Sequence, residues 1–493
     1  MFLLACTARP TGQRPPDADT GSPTDSGGPD GGSPDSGSPG DGSPDGGAWP
    51  PLRDLDIGLQ AARHNPLAAL VTVRAVEPVQ VSATAWEGGR AVATATATAE
   101  PAGRSELALV GLHADTRYWI EVQAELPDGS TRQRRLPFTT PSLPANLRPP
   151  TVQIAEIEPA GLTVYSNGSG PFQPGDAMLA GVDGRGEVAW VYTSDQALPE
   201  RDVSFDRQPD GALTVVTGEY LRTIDLAGRT LTELRAVDTE LPGFHHAAWR
   251  LPEGWAVLSW EEQTLTTPAG ADQLVVGDVV AELDDSGAVL SRWSTFDHLD
   301  TSRFPNVLST NPSLLDDRGL DWTHANALLP SADGQGWLLS LRSQSWILQF
   351  DRSSGDLDWV LGQDGDFSLS GGTWFDAQHG PEREDDGSIW VFDNRTTRLA
   401  GDDQSRVVHY DLDQAGRTAT ERESLPLGVS VDHLGDVDLL DDGHLLVCVG
   451  AISSKTTMHG TAELRELDPT TGEQLWVIEL PEESFSAERV PLP

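Results

Sequence analysis

Apolar and polar residues alternate with a period of two in segment after segment of this chain. Residues 91–97 (AVATATA) and 107–110 (LALV) alternate between turn residues, the signature of half-buried strands. Residues 445–449 (LLVCV) form a short apolar run of the kind a buried strand takes. No long stretch carries an apolar helical period. Glycine (50 residues) and proline (36 residues) are frequent, which suits many tight turns. The pattern predicts an all-β protein.

A second pattern has a longer period. A strand ends in Asp, a tight turn with Gly follows, and the next strand often holds Trp. Six copies occur, at residues 182–186 (VDGRG), 224–228 (IDLAG), 283–287 (LDDSG), 350–355 (FDRSSG), 410–416 (YDLDQAG) and 467–472 (LDPTTG). Asp and Gly supply the positive φ that hairpin turns need. A spacing of about 40 to 70 residues suits a four-stranded propeller blade with its loops. Six turns imply six blades, so residues 151–493 are expected to form a six-bladed β-propeller.

Ahead of it, residues 54–142 read as a separate β-sandwich. The stretch 109–122 (LVGLHADTRYWIEV) resembles the late strands of a fibronectin type III domain, in which a tyrosine bonds back to the preceding corner. Tyr118 matches that tyrosine, and residues 138–140 match the closing strand. A small fibronectin type III-like domain is expected there as a spacer or docking face. Residues 143–150 are a proline-rich joint.

Residues 20–47 are Gly, Ser, Pro and Asp with almost no apolar side chain. Such a segment cannot bury a core, so residues 7–53 read as a disordered tether. Residues 3–6 (LLAC) resemble a bacterial lipobox, which makes Cys6 the expected lipidation site and residues 1–6 a truncated lipoprotein-type signal. The expected address is the bacterial cell envelope, lipid-anchored, periplasmic or at the cell surface, with the membrane as a partner through that anchor. No other segment has the ~18 continuous apolar residues a membrane span needs. A formal net charge of −43 makes nucleic acid an unsuitable partner. Two cysteines, Cys6 and Cys448, exclude a disulfide framework, and Cys448 is a small core residue on this reading.

The 493 residues are more than one ordinary domain and enough for a large core. Candidate chemistry lies in a further repeat. Counted against the following Gly or Leu-Pro, residues 246–255 (HAAWRLPEGW), 324–330 (HANALLP) and 379–387 (HGPEREDDG) put His246, His324 and His379 at the same place in three copies. A repeat sets equivalent side chains around a common axis, and the innermost strand of each blade lines the central channel. Three imidazoles are therefore expected to converge at the channel mouth. Other copies carry Gly435 or Val203 at that place. A structural demand tends to recur in every copy, so the asymmetry marks a site. Arg342, in residues 340–346 (SLRSQSW), follows His324 by one hairpin and is expected at the same mouth. Three imidazoles and a guanidinium make a pocket for an oxyanion, with a candidate nucleophile. An ion pair between Arg342 and a nearby carboxylate is the plain alternative.

The series 321–326 (DWTHAN), 341–345 (LRSQS), 359–362 (WVLG), 378–379 (QH) and 391–394 (VFDN) resembles the bacterial arylsulfate sulfotransferases. The resemblance covers residue 150 to the C-terminus. It implies a six-bladed propeller behind a small N-terminal β domain, in the periplasm, often as a homodimer. It implies transfer of a sulfuryl group from a small aromatic sulfate donor to a phenol acceptor, without a nucleotide donor or other cofactor. By the resemblance His379 is the histidine that becomes transiently sulfated. His324 and Arg342 hold the sulfuryl oxygens and assist proton movement. His246, with His245 adjacent, is the remaining active-site histidine, and Asn326 orients the site. This chain departs from many relatives: it has no cysteine pair near His379, and Ala247 follows the histidine pair where an acidic residue is common.

The implied chemistry is physically coherent. A neutral imidazole attacks sulfur in line and splits one transfer into two. A second histidine protonates the departing phenolate and later takes the proton of the incoming phenol. Arg342 offers fixed donors to the equatorial oxygens. Nucleophile and acid need separated pKa values, and cationic neighbours depress that of His379. Trp249, Trp322 and Trp374 flank the motifs and offer stacking surfaces for an aryl ring; core packing is the alternative for each. Two readings from other classes stay open at this point. One is a non-catalytic cell-surface propeller that binds protein or glycan. The other is a divalent metal held by three histidines, which Arg342 disfavours by its charge; no metal is expected.

Overall fold

Short strands joined by tight turns make up nearly all of the described residues, with 56% of them in strands and 3% in helices. The structure is a computed structural model, and it describes residues 55–75, 78–100, 104–126, 128–168, 170–198, 203–267, 270–304, 315–316, 319–396, 404–452 and 460–493. Cys6 and the whole tether expected over residues 7–53 lie outside the described residues.

The first strands form two facing antiparallel sheets. One has the order Leu55–Ala61, Ala69–Ala75, Ser105–Leu109, and the other Arg90–Ala99, Val79–Glu87, Arg117–Glu125, Thr131–Thr139. Alternate residues of both, among them Val71, Val81, Leu107 and Ile120, meet in one apolar core, the consequence of period-two patterning on a sheet with one buried face. Tyr118 is fully buried, and its hydroxyl oxygen accepts the His113 N–H at 2.9 Å.

Six further sheets follow. Their leading strands are Ser204–Arg207, Ala248–Leu251, Ala325–Pro330, His379–Arg383, Asp436–Leu439 and, at the C-terminal end, Ala487–Val490. Each heads an antiparallel run of four strands, and four further short strands extend some of the sheets, two of them, Gly319–Asp321 and Ser368–Ser370, by parallel pairing. Each of the six Asp–Gly turns joins the last two strands of one run. The strand Ala487–Val490 returns across the whole chain to pair with Leu162–Ser166, and Thr151–Ala155 pairs with Gln474–Leu480. The leading strands neighbour one another in succession, and the last lies beside the first.

The middle strands are apolar on both faces because the sheets stack on each other. Gly336–Leu341 (GWLLSL) is buried throughout. Every neighbouring pair of sheets shares its own apolar cluster, the sixth with the first included. Trp190, Trp255, Trp337, Trp390 and Trp476 fill the space between sheets. Burying a large aromatic in this way stabilises by about 1.5–3 kcal/mol each. Cys448 is fully buried in the cluster between the fifth and sixth sheets.

Candidate active site

The residue that leads into an innermost strand takes a left-handed backbone in four of the sheets. It is His246 (φ 57°), His324 (φ 48°), Ala377 (φ 53°) and Leu434 (φ 62°). Side chains with a β-carbon enter that region at a cost, so these sharp corners are set by the fold around them. The corner breaks the alternation of the strand and throws the side chain toward the ring of leading strands. His246 and His324 are thus equivalent. His379 is not their third copy: Ala377 holds the corner, and His379 is the first residue of the strand, paired with Phe392. Counting back from the turn glycine misplaces it for two reasons. A bulge lies between His379 and Glu382, and the turn before Ile389 is longer than the two-residue turn after Leu251.

The four residues nonetheless gather. The His246 ring lies 5.3 Å from that of His324. Arg342 follows its strand directly, and its N–H donates to the His324 carbonyl at 3.1 Å. Arg342 and His379 are each only 2% exposed. Arg342 Nη2 donates to the Asp432 carbonyl at 3.0 Å, while Nε has no partner among the described residues. Among those residues no carboxylate forms an ion pair with it. Sequence reasoning missed Phe485, which precedes the strand Ala487–Val490 by two residues as His246 precedes Ala248. Its ring lies 5.1 Å from His246 and 6.4 Å from His379.

Hydrogen bonds fix the imidazoles. His379 Nδ1 is 2.7 Å from Asn394 Oδ1. Asn394 Nδ2 donates to the carbonyls of Val431 (3.1 Å) and Leu434 (2.9 Å), so the amide cannot turn and Oδ1 must face the ring. His379 therefore carries its hydrogen on Nδ1 and keeps a lone pair on Nε2. Burial, and after it the Arg342 guanidinium, hold His379 well below the ordinary imidazole value, against the opposing bond to Asn394. His324 Nδ1 is 2.5 Å from Asp321 Oδ2. Burial pushes the Asp321 carboxyl up, but the neighbouring His324 outweighs it and the net direction is down. Asp321 and Asn394 sat inside the recognised motifs without a role; an acid three residues before a histidine was the available signal for Asp321.

Asn326 is buried, donates from Nδ2 to the Gln378 carbonyl at 2.7 Å, and leaves Oδ1 without a partner among the described residues. His245 stands edge-on to His246, ring centres 5.0 Å apart. Trp322 and Trp374 do not face the site. Trp322 stacks on Phe296 at 5.3 Å and donates to the Arg303 carbonyl, while Trp374 packs against Phe375 and Tyr410. Both are core residues, because the chain reverses its facing at the corners of His324 and Ala377. Trp249 lines a cavity of about 990 Å³ along the leading strands, with His246, Asn326 and Phe485. A second cavity of about 860 Å³ is lined by Phe244, His245, His246, Trp260 and Phe485. Among the described residues, the groups of ligand atoms close enough to share an ion are His113–Asp183–Glu187 and Asp442–His444–Glu466; His245, His246, His324 and His379 are in neither.

The sequence profile of the arylsulfotransferase (ASST) family matches residues 155–487. The chain belongs to the arylsulfotransferase family. Sulfuryl transfer with an aryl sulfate donor and a phenol acceptor is thereby the supported class of reaction. Among curated proteins none matches the sequence. Solved structures similar to this arylsulfotransferase include the periplasmic gluconolactonase PpgL of Pseudomonas aeruginosa, at 14% identity and TM-score 0.36 over 68% of this chain and 100% of that one. The β-propeller domain of Cps50 (Swd1) from Myceliophteria thermophila is similar at 13% identity and TM-score 0.33, over 68% of this chain and 90% of that one. Hydrazine synthase of Kuenenia stuttgartiensis is similar at 12% identity and TM-score 0.31, over 70% and 97%.

Proposed function

We propose that this arylsulfotransferase exchanges a sulfuryl group between phenols in two steps, through a sulfohistidine at His379. The observation that carries the reading is the Nε2 lone pair of His379, fixed by Asn394 beside a buried guanidinium that lacks a carboxylate partner among the described residues. In the first step Nε2 forms a bond to sulfur while the bond from sulfur to the aryl oxygen breaks. The electron pair leaves with the phenolate, and His324 Nε2–H supplies its proton. Asp321, bonded at Nδ1, balances the charge that His324 carries beforehand. In the second step a phenol oxygen attacks sulfur, His324 takes the phenol proton, and the electron pair of the broken N–S bond returns to His379. Arg342 donates to the equatorial oxygens as charge spreads.

The six sheets and their shared clusters support a closed six-bladed propeller as the frame. The facing sheets before it, with the Tyr118 bond, support a fibronectin type III-like spacer. On the same reading Cys6 is lipidated and holds the enzyme to the cell envelope through residues 7–53. The test is release of p-nitrophenol from its sulfate ester. Release should require an added phenol, be lost in His379→Ala, and leave a trapped sulfated peptide that contains His379. Release that survives His379→Ala would overturn the assignment.

A further inference from the structure

The histidine pair His245–His246 has a partner that the two-step exchange does not use. His245 Nε2 lies 3.2 Å from Asp278 Oδ1 and 3.1 Å from the Ser259 carbonyl. Both are acceptors, so Nε2 carries a hydrogen. His245 Nδ1 then faces His246 Nδ1 at 2.8 Å, and two ring nitrogens at that distance need one proton between them. Asp278 is itself held in place. Its Oδ2 accepts the Thr323 hydroxyl at 2.5 Å and the Ala325 N–H at 2.7 Å, and its own N–H donates to Thr323 Oγ1 at 3.0 Å. Thr323 and Ala325 flank His324, so one buried carboxylate braces both corner histidines.

We propose that Asp278 and His245 are positioning residues that decide which nitrogen of His246 carries its hydrogen, and so whether His246 offers the sulfuryl group an N–H or a bare lone pair. The role in catalysis rests on the sulfuryl exchange proposed above; the placement of the proton does not. When His245 is an imidazolium, its Nδ1–H donates to His246 Nδ1. The hydrogen of neutral His246 is then on Nε2, where it donates to a sulfuryl oxygen. When His245 is neutral, its single hydrogen stays on Nε2 against Asp278. The proton between the rings then belongs to His246 Nδ1, and Nε2 presents a lone pair that repels sulfuryl oxygens.

The charges around the pair favour the first arrangement. His246 faces His245, His324, His379 and Arg342, and burial followed by these groups keeps it neutral. His245 faces Asp278, with Asp321 further off; burial works against its charge, but Asp278 outweighs burial and raises it. The cation therefore sits on His245. As pH rises through the His245 titration the proton leaves, the His246 tautomer flips, and kcat falls along an alkaline limb.

Two readouts test this on the full chain. ¹⁵N-histidine NMR across pH, with His245→Gln to assign the pair, reads the His246 tautomer without turnover. Its Nε2 should change from protonated to unprotonated as His245 titrates. The kcat profile for p-nitrophenyl sulfate with phenol should show the alkaline limb in the native enzyme. The limb should move down by about one to two pH units in Asp278→Asn, the effect of removing one nearby charge. In His245→Gln, which has no proton to lose, any remaining limb should no longer move with Asp278→Asn, and in Thr323→Val, which keeps Asp278 Oδ1, the limb should stay in place. An unmoved limb in Asp278→Asn, or in His245→Gln should the first variant fail to fold, overturns the proposal. So does a His246 tautomer that does not change with His245. A tautomer that flips in a protein without transfer activity would instead keep the relay and remove the sulfuryl exchange.

Discussion

Replacing Asn394 with aspartate probes the nucleophile more sharply than deleting His379, because it adds one charge and almost no volume. Asn394 Oδ1 accepts the His379 Nδ1 hydrogen at 2.7 Å, and the amide nitrogen is tied to two carbonyls. Burial and then Arg342 keep the imidazole neutral well below its ordinary pKa, so the attacking lone pair is present at neutral pH. A carboxylate at position 394 would attract the imidazolium. Two unit charges about 4 Å apart, at an effective dielectric of about 20, interact by about 4 kcal/mol, or roughly three pK units. The second carboxylate oxygen would face the carbonyls of Val431 and Leu434, which opposes ionisation and cuts the shift to about one or two units. The sign follows directly. A raised pKa keeps His379 protonated to higher pH, and the imidazolium has no lone pair on Nε2. Activity near neutral pH should fall by about tenfold to a hundredfold, and the acid limb of kcat/KM should move up by the same one or two units. At alkaline pH the rate should recover. Asn394→Ala removes the acceptor without adding charge and leaves a buried N–H unsatisfied, at a cost of about 1–3 kcal/mol. Its rate should fall at every pH, and its acid limb should move down and not up, because the bond to Asn394 opposes the depression of His379. The assay is p-nitrophenolate release with excess phenol, read across pH. An Asn394→Asp profile that is merely scaled down, its acid limb unmoved, would refute the assignment of His379 as the attacking base.

Other outcomes follow from the same geometry. Arg342→Ala should lower kcat by about a hundredfold to a thousandfold, the usual cost of one oxyanion donor, and Arg342→Lys should recover only part of it because it restores the charge and not the fork; equal rates in the two variants would contradict the geometric role. Glu382→Gln should flatten the pH dependence of the melting temperature. Burial, then Glu488, raises Glu382 from 4.5 to about 8, and burial raises Asp206 to about 8. Between the ordinary and the raised values the folded state binds more protons than the unfolded one, so stability falls as pH rises through that window and levels off above it. A melting temperature that climbs with pH across the window would show these carboxyls ionised. Trp322→Phe should lower the melting temperature while leaving KM for aryl sulfates unchanged, because the ring stacks on Phe296 away from the site; a raised KM would return Trp322 to the aryl pocket.

Strands and turns were legible in the sequence because their causes are local. Alternation such as that of residues 91–97, and Asp and Gly at the tight turns, depend on near neighbours alone, and all six turns fall between paired strands. The register of the histidines was not local. It depends on a bulge after His379 and on the length of the following turn, neither of which has a residue signature. Arg342 and His324 came together as expected because one hairpin joins them. Phe485 stayed hidden because its strand is supplied from the far end of the chain, and Asp278 because its partners are 33 residues upstream and 45 and 47 residues downstream. Trp322 and Trp374 turn into the core for the same reason that His246 and His324 meet. A left-handed corner reverses the facing of the chain, so residues on its two sides part company. The chemistry collects where the alternation breaks, and a break has no periodicity to read. Active-site residues in this fold should therefore be sought at corners, with their partners on adjacent sheets, and flanking aromatic residues should be assigned to the core first.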